Sequence, residues 1–518
     1  MLLNNKVWRF YAVNSVFAKI NLIFRRNSVS IFALNVQKTY EICIKHKYSV
    51  TYSYLHSIYH MLIIEELIII FFGLISMLLL LFVGLFLTLK SRLFQIRGIG
   101  FINRHTFCTL FHKDKAGTGI SPFQALTTAL AGTMGVGNIS GVATALVAGG
   151  PGAIAWMWIS ALLGMATKYA EIFLAVKYRR VKNGNVVGGA MYYIEYGLGK
   201  KWLAAVFALL CALCSLGIGN LAQVHSIAGV MRQSFGVPPL LCGIVTAVFC
   251  AIVICGGLKR IAKVTELVIP LLSIVYLFFC ITMLWLNRTF VPSALMQIII
   301  GAFGLQEAAG GVLGYGVMQA MHFGLSRGVF TNEAGLGSAP IAHASANCSE
   351  PSHQAAWGVF EVFLDTILVC TITALVILCA GGGGLLHSGL NGAPLTSAAF
   401  ESAFPGIGAA FLAVAIAFFA FAAITGWYFY GESALRYLFK GERAVNFYRM
   451  LFLLCVVVGA LANLEVVWRV SDILNVLMAM PNCIALLLLN HHIKWGESQT
   501  NEIIDNRNYT YANRRLKT

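Results

Sequence analysis

Ala131-Gly132-Thr133-Met134-Gly135-Val136-Gly137-Asn138 interrupts an apolar run that extends from 122 to 149, and its three glycines are too many for an unbroken helix. A second glycine-dense stretch, Ala308-Ala309-Gly310-Gly311-Val312-Leu313-Gly314-Tyr315-Gly316, interrupts the run 294–324. Unwound backbone exposes N–H groups and carbonyls, and the N-terminus of a half-helix carries partial positive charge suited to a carboxylate. Carbonyls from the same break can take a small cation. Deep in a bilayer, such backbone is tolerated only where it is buried in protein or lines a cavity. Glycine used for close helix packing is the alternative, and it accounts poorly for clusters this dense.

The surroundings of these breaks are those of a membrane protein. Of 518 residues 58% are hydrophobic and 11% charged, with mean hydropathy +0.78, against about 45–50% and about 25% in soluble domains. Too little charged surface is present to cover a water-soluble fold of this size. Soluble enzymes, secreted domains and nucleic-acid-binding proteins are excluded on that ground. Apolar stretches near or above the roughly 20 residues that cross hydrocarbon recur at 67–89, 122–149, 152–176, 203–230, 238–257, 264–286, 294–324, 355–380, 406–435, 447–464 and 466–490. The expected fold is therefore an all-α polytopic membrane protein with 11 transmembrane helices. The broken spans are the second and the seventh, and each opens a block of five. Blocks of odd number have opposite orientation, which makes them inverted repeats, and breaks at matching positions point to a midplane site in a secondary transporter. The expected divisions are an N-terminal extension 1–60, a first helix with a basic loop 61–117, repeats 118–290 and 291–490, and a tail 491–518.

The formal charge of +17 is distributed in loops. Assigned to alternate sides of the eleven spans, almost every Lys and Arg from 61 onward falls on one side, from Lys90 to Lys517, leaving little beyond Arg232 and Arg288 on the other. The basic side is cytoplasmic, so the expected placement is a multi-pass plasma-membrane protein, N-terminus outside and C-terminus inside. Residues 1–60 break the pattern, with eight Lys or Arg against Glu41. They contain neither a run fit to span nor a signal-peptide pattern, and the expectation is that the biological start is Met61, with a real interfacial or disordered extension as the alternative. The 13 cysteines lie mostly within apolar segments and are expected to be free and buried. Cys211 and Cys214 form a C-x-x-C inside the run Leu203–Leu216, where a redox or metal role lacks accessible, electropositive surroundings.

Longer motifs flank these features. Gly135-Val136-Gly137-Asn138, Gly149-Gly150-Pro151-Gly152-Ala153-Ile154-Ala155-Trp156-Met157-Trp158-Ile159-Ser160-Ala161-Leu162-Leu163-Gly164, Phe94-Gln95-Ile96-Arg97, Ala309-Gly310-Gly311 and Arg327-Gly328-Val329-Phe330-Thr331-Asn332-Glu333-Ala334-Gly335-Leu336-Gly337-Ser338-Ala339-Pro340 together resemble the alanine or glycine:cation symporter family (sodium:alanine symporters) over about 65–490. The resemblance implies a LeuT-type five-plus-five inverted-repeat fold behind one extra helix, and sodium-coupled uptake of alanine and glycine by alternating access. It further implies a substrate pocket of Thr133, Gly135, Gly137, Asn138, Gln223 and Trp427, the last limiting the side chain to something near a methyl. No cofactor beyond the coupling ion is implied.

In the fold so implied, one sodium lies between carbonyls near Ala131 and Met134 and hydroxyls of the ninth span. This chain has Ala422-Ala423 where the family usually has Ser or Thr, and methyl groups offer a hard cation nothing. Thr425 points about 200° round the helix from Ala423 and does not simply replace them. Smaller departures are Ala155 and Ala190. Ion dependence is accordingly weakened, moved to another site, or replaced by protons. Glu361 and Asp365, at i and i+4, share a helix face and suit a proton carrier, with a structural role as the alternative. Glu171, Glu432 and His225 read as structural, and His322 and His343 show no ligand spacing. The alternatives to a sodium symporter are a proton-coupled amino-acid symporter and a non-transporting amino-acid sensor. An enzyme is excluded by the absence of H-E-x-x-H or of G-x-S-x-G in a suitable context.

Overall fold

The structure, a computed structural model, describes residues 75, 77–107, 119–182, 184–304, 312–462 and 464–496, with the side chains of 312–315 and 464–469 set aside. The expectations about 1–60, Met61 and the tail beyond 496 lie outside the described residues, and so does most of the glycine stretch 308–311.

The chain runs through α1 (Met77–Lys90), α2 (Pro122–Thr133), α3 (Ser140–Gly149), α4 (Ala153–Lys177), α5 (Lys201–Phe235), α6 (Pro239–Ile254), α7 (Gly257–Leu286), α8 (Val291–Phe303), α9 (Val312–Asn332), α10 (Pro351–Gly383), α11 (Ala393–Ala403), α12 (Gly408–Leu438), α13 (Glu442–Gly459) and α14 (Leu464–Leu489). Among the described residues, six helices are long and apolar enough to cross a membrane. The strands β1 (Arg180–Lys182) and β2 (Asn185–Val187) pair antiparallel in the basic stretch after α4, a hairpin that the hydropathy pattern does not signal.

The burial pattern is that of a bundle in lipid. On α7, Leu267, Leu271, Ile274, Phe278, Ile281 and Trp285 recur every three or four residues and are 56–69% exposed, while Ile261, Thr265, Ile269, Tyr276, Cys280 and Met283 on the opposite face are buried. A continuous apolar stripe of that length is untenable in water and natural against acyl chains. The interior holds the charges instead: Lys168, Glu171, Glu333, Glu361 and Asp365 are all buried. The described cysteines are free, Cys211 and Cys214 among the buried ones.

Small residues set the closest packing. Gly324 and Gly328, one turn apart on α9, face Ala153, Trp156, Met157 and Ser160 of α4, and a Cβ on Gly328 would fall 2.7 Å from that of Ser160. This small-xxx-small contact lets two backbones approach where lipid offers no hydrophobic drive for association. Gly426 of α12 similarly lies against the Gly132 amide and the Thr128 carbonyl of α2, at 3.1 and 3.3 Å from its would-be Cβ.

Two helices contain π-helical turns, Gly217–Leu221 in α5 and Phe363–Cys370 in α10. Each inserts backbone without changing hydropathy, so neither is visible as a break in the sequence, and π-turns concentrate at functional positions. The expected second span is two helices, α2 and α3. The expected seventh span is also divided: α8 ends at Gly304 (φ 65), and α9 is already helical from Val312. Gly314 and Gly316 therefore lie in a helix rather than in a break. A Gly next to one turn of well-bonded helix costs only about 1 kcal/mol, which packing readily offsets.

Candidate functional site

The start of α2 is fixed by a capping box. Ser121 accepts from the Gln124 amide at 3.0 Å, and Gln124 Oε1 accepts from the Ser121 amide at 3.0 Å, with Pro122 in the first turn. Helical bonding stops at Met134, whose amide still donates to the Leu130 carbonyl at 2.7 Å. Gly135 then leaves helical geometry (φ −108, ψ −143), Val136–Asn138 form a 3-10 turn, and α3 begins at Ser140. The expected break is present at its expected place. Its glycine is a matter of space: a Cβ on Gly135 would come 3.0 Å from Gln223 Oε1, and one on Gly137 would come 3.3 Å from Thr331 Cγ2.

Gln223, two residues beyond the π-turn of α5, accepts from the Val136 amide at 3.5 Å and donates to the Ile218 carbonyl at 3.3 Å. It thus satisfies backbone that the break has freed. Beside it a narrow cavity is lined by Thr133, Gly135, Gly137, Ile218, Gln223, Phe330, Thr331, Glu333 and Trp427, together with Gly132. Five of the six substrate residues expected from sequence meet there. The sixth, Asn138, does not line it: its amide donates to Asp365 Oδ1 at 2.7 Å, to the Asp365 carbonyl at 3.1 Å and to Cys370 Sγ at 3.4 Å.

The opposite wall comes from the end of α9. After Asn332 the chain is irregular through Gly335 (φ 93) and Gly337 (φ 78) and resumes helix at Pro340–Ala344. Glu333 itself has φ 52, an uncommon conformation for a residue with a Cβ, and one that points to a constrained site. Its Oε1 accepts from Trp427 Nε1 at 3.1 Å and its Oε2 from Ser338 Oγ at 2.7 Å. Gly219 lies against the root of the Trp427 side chain, where a Cβ would collide with Trp427 Cβ and Cγ, so only glycine leaves room for the indole there. An interruption beside the cavity thus lies at 333–339, a place the glycine count does not single out, while 308–311 of the expected break lie outside the described residues. Residues Ile120 and Asn347 tie the two broken segments together, with Ile120 N donating to Ser345 O at 3.1 Å and Asn347 N to Ile120 O at 2.7 Å.

The remaining expected positions divide. Ala131 and Met134 are buried at the break. Ala423 packs its methyl 3.4 Å from the would-be Cβ of Gly135, and the Thr425 hydroxyl donates to its own helix at the Ala422 carbonyl, 2.8 Å away. Glu361 and Asp365 do not act as a joined pair. Glu361 binds Lys168 Nζ at 3.2 Å and His343 Nε2 at 3.1 Å. Asp365, within the π-turn, is held by Asn138 and by Thr366 Oγ1 at 2.8 Å. Glu171 accepts from Asn482 Nδ2 at 2.5 Å and from the Gly337 amide at 2.9 Å, bracing the second interruption.

Lys168 and Glu333 carry no role in the sequence reading. The signal was available for both: a charged residue inside a span is costly and retained for a purpose, and Lys168 sits within Ala166-Thr167-Lys168-Tyr169-Ala170-Glu171. Its ammonium lies within Coulombic reach of Glu361, Glu171 and Glu333.

A profile described as the sodium:alanine symporter family matches residues 58–502. The chain belongs to that family. The sodium/alanine symporter AgcS of Methanococcus maripaludis is 44% identical to it, over 83% of this chain and 94% of the relative. An uncharacterized transporter of Haemophilus influenzae is 47% identical over 78% and 88%. Among solved structures, a Na+-coupled sialic acid symporter superposes with TM-score 0.51 at 12% identity, covering 82% of this chain and 98% of that one, a likeness of fold alone. This member of the sodium:alanine symporter family is thus a multi-pass membrane transporter and not an enzyme.

Proposed function

We propose that the protein is a cation-coupled symporter of small neutral amino acids, chiefly alanine and glycine, working by alternating access. The observation that carries this reading is the cavity enclosed by two interruptions, 134–139 and 333–339. Freed amides near Gly135 and Gly137 suit a carboxylate, and Glu333 offers the ammonium group a carboxylate of its own. Trp427, a wall of that cavity, is the group that would limit the substrate side chain to something near a methyl. Family membership and a relative named as a sodium/alanine symporter support alanine and sodium as the transported pair. An arrangement of one extra helix followed by two inverted blocks of five is the architecture this reading adopts, with the N-terminus outside and the basic loops cytoplasmic.

Proton coupling is the second reading, favoured by the burial of Asp365 without a basic partner among the described residues. Uptake of radiolabelled alanine into proteoliposomes, under a sodium gradient without a pH gradient and then the reverse, separates the two. Accumulation under sodium alone is expected. Accumulation under the pH gradient alone establishes proton coupling, and none under either overturns the symporter reading in favour of a binding-only sensor.

A further inference from the structure

We infer that the stretch from Lys90 to Phe107 lies in the plane of the bilayer surface and binds anionic phospholipid head groups, with Lys90, Arg92, Arg97 and Arg104 holding the phosphates. The site stands apart from the substrate cavity and does not depend on the transport reading.

The stretch begins at a bend. Along α1, Leu78, Phe82, Leu85 and Leu89 recur every three or four residues and are 47–66% exposed, a lipid-facing stripe of the kind seen on α7. That helix stops where Arg92 (φ 54) and Leu93 (φ 59) both enter the left-handed conformation, uncommon for a residue with a Cβ and more so for two in succession. The Leu93 amide donates to the Thr88 carbonyl at 2.9 Å and the Ser91 hydroxyl to the same carbonyl at 3.0 Å, so the turn is a built one. Past the turn the apolar exposure resumes at Leu93, Ile96, Ile99 and Phe107, each about half exposed.

Two short helices follow, Phe94–Arg97 and Ile99–His105, and they act as one. Gly98 N donates to the Phe94 carbonyl at 2.6 Å and Ile102 N to the Gly98 carbonyl at 2.9 Å, which carries the helical ladder through Gly98. At about 100° per residue, the buried Phe94, Gln95, Ile102 and Thr106 share one face. Ile96, Ile99 and Phe107 spread over the opposite face, and Arg97 and Arg104 fall about 20° apart on its flank. An apolar outer face with bases beside it is the cross-section of an interfacial helix.

The inner face is pinned to the bundle. Gln95 Nε2 donates to Thr88 Oγ1 at 3.1 Å and to the Leu162 carbonyl of α4 at 3.2 Å. The Phe94 ring lies 5.0 Å from that of Tyr169 on α4, and the Phe107 ring 4.6 Å from that of Phe360 on α10. Whatever grips the outer face therefore also steadies α4 and α10, the helices that carry Lys168 and Glu361.

Charge decides the occupant. Lys90, Arg92, Arg97 and Arg104 are all exposed, and among the described residues none of them forms an ion pair, in contrast to Arg436 with Glu432 and Glu442. The sequence has no Asp or Glu from 67 through 113. A soluble anion would meet the four bases but leave the neighbouring apolar side chains in water. An anionic phospholipid meets both demands, since its acyl and glycerol region takes the apolar side chains and its phosphate takes guanidinium groups.

The test follows thermal unfolding of the full chain in uncharged detergent, titrated with phosphatidylglycerol or with phosphatidylcholine. A ligand bound to the folded state raises the melting temperature by mass action. Phosphatidylglycerol is expected to raise it further than phosphatidylcholine, and high salt to remove the excess. Arg97→Gln combined with Arg104→Gln is expected to raise the half-saturating phosphatidylglycerol fraction about tenfold or more, while Arg97→Lys with Arg104→Lys stays within about threefold. Lys259→Gln with Lys263→Gln, the same loss of charge at exposed positions of α7, should leave it unchanged. Melting in phosphatidylcholine alone reports whether each variant is folded, and Lys90→Gln with Arg104→Gln carries the same expectation should the first pair fail to fold. Equal increments from the two lipids in the wild type overturn the site, as does a full phosphatidylglycerol increment in the folded glutamine pair. An increment from inorganic phosphate as large as that from phosphatidylglycerol makes the bases a soluble-anion site and overturns the lipid one. An equal loss in the Lys259 and Lys263 variant reduces the effect to net charge and overturns it too.

Discussion

Glu361 and Asp365 stand one turn apart on α10, both buried, and have opposite electrical surroundings. Glu361 lies between Lys168 of α4 and His343 of the short helix after the second interruption, so its charge is cancelled by the protein itself. Asp365 meets Asn138 at the first interruption and Thr366 beside it, both neutral. The same side-chain chemistry in one helix thus does two jobs. A carboxylate with a built-in counter-ion holds helices together, whereas one without it is free to hold something that comes and goes. The expectation is that loss of the built-in partner harms folding more than loss of the lone carboxylate does.

The largest effect is expected at Lys168. Lys168→Met keeps the length of a side chain that packs against Gly358 but leaves Glu361 a buried anion, a defect of about 3–5 kcal/mol. Thermal unfolding in detergent should show a large fall, and pairing the change with Glu361→Gln should recover most of it. If the single variant melts like the wild type, Glu361 is not held by its ion pair and the contrast with Asp365 collapses.

Next comes Trp427→Phe, which sharpens the comparison by testing a third carboxylate. Glu333 resembles Asp365 in having neutral hydrogen-bond partners, Trp427 and Ser338, but it faces the cavity. Deleting the indole donor costs a charge-assisted bond of about 1.5–3 kcal/mol and enlarges the cavity on one side. The expected signature is a KM for alanine raised about tenfold, with some gain for larger side chains. An unchanged KM would separate Glu333 from substrate handling.

Much of this was legible in the sequence, and what was not has identifiable causes. The break at 134–139 announced itself because glycines are expensive in helices, and the lipid-facing stripe of α7 because hydrophobicity repeats. The interruption at 333–339 went unassigned because its left-handed positions are split between two glycines and a glutamate, Glu333, which gives no composition signal. Of the stretch 308–316, the part from 312 onward is helical for the converse reason: glycine permits a break but does not require one. Asn138 was placed in the pocket, yet the 3-10 turn rotates it toward α10, and the π-turns that aim Asp365 and Gln223 leave no periodic trace. Pairings such as Lys168 with Glu361 join residues 193 positions apart, beyond any local pattern.

A smaller stability effect is expected for Asp365→Asn. The amide oxygen can still accept from Asn138 and its NH2 can bond the Thr366 hydroxyl, so melting should shift by no more than about 1 kcal/mol equivalent. A collapse in melting as large as that of Lys168→Met would make Asp365 a structural anchor and erase the distinction between the two ends.

The smallest effect belongs to Thr425→Val. Its hydroxyl bonds the carbonyl of Ala422 in its own helix, a local bond that contributes little because the carbonyl already belongs to the helical ladder. Stability should change by about 0.5 kcal/mol or less, and the half-saturating sodium concentration should stay within about twofold. The result bears on the comparison because Thr425 is the hydroxyl nearest in sequence to Ala422-Ala423, although it points about 200° round the helix from Ala423. If its removal raised the sodium requirement tenfold, the ion would sit between α2 and α12. If it changes nothing, Thr425 is not a ligand of the coupling ion, and any ion takes its oxygens elsewhere than beside Ala422-Ala423, where the methyl groups offer none.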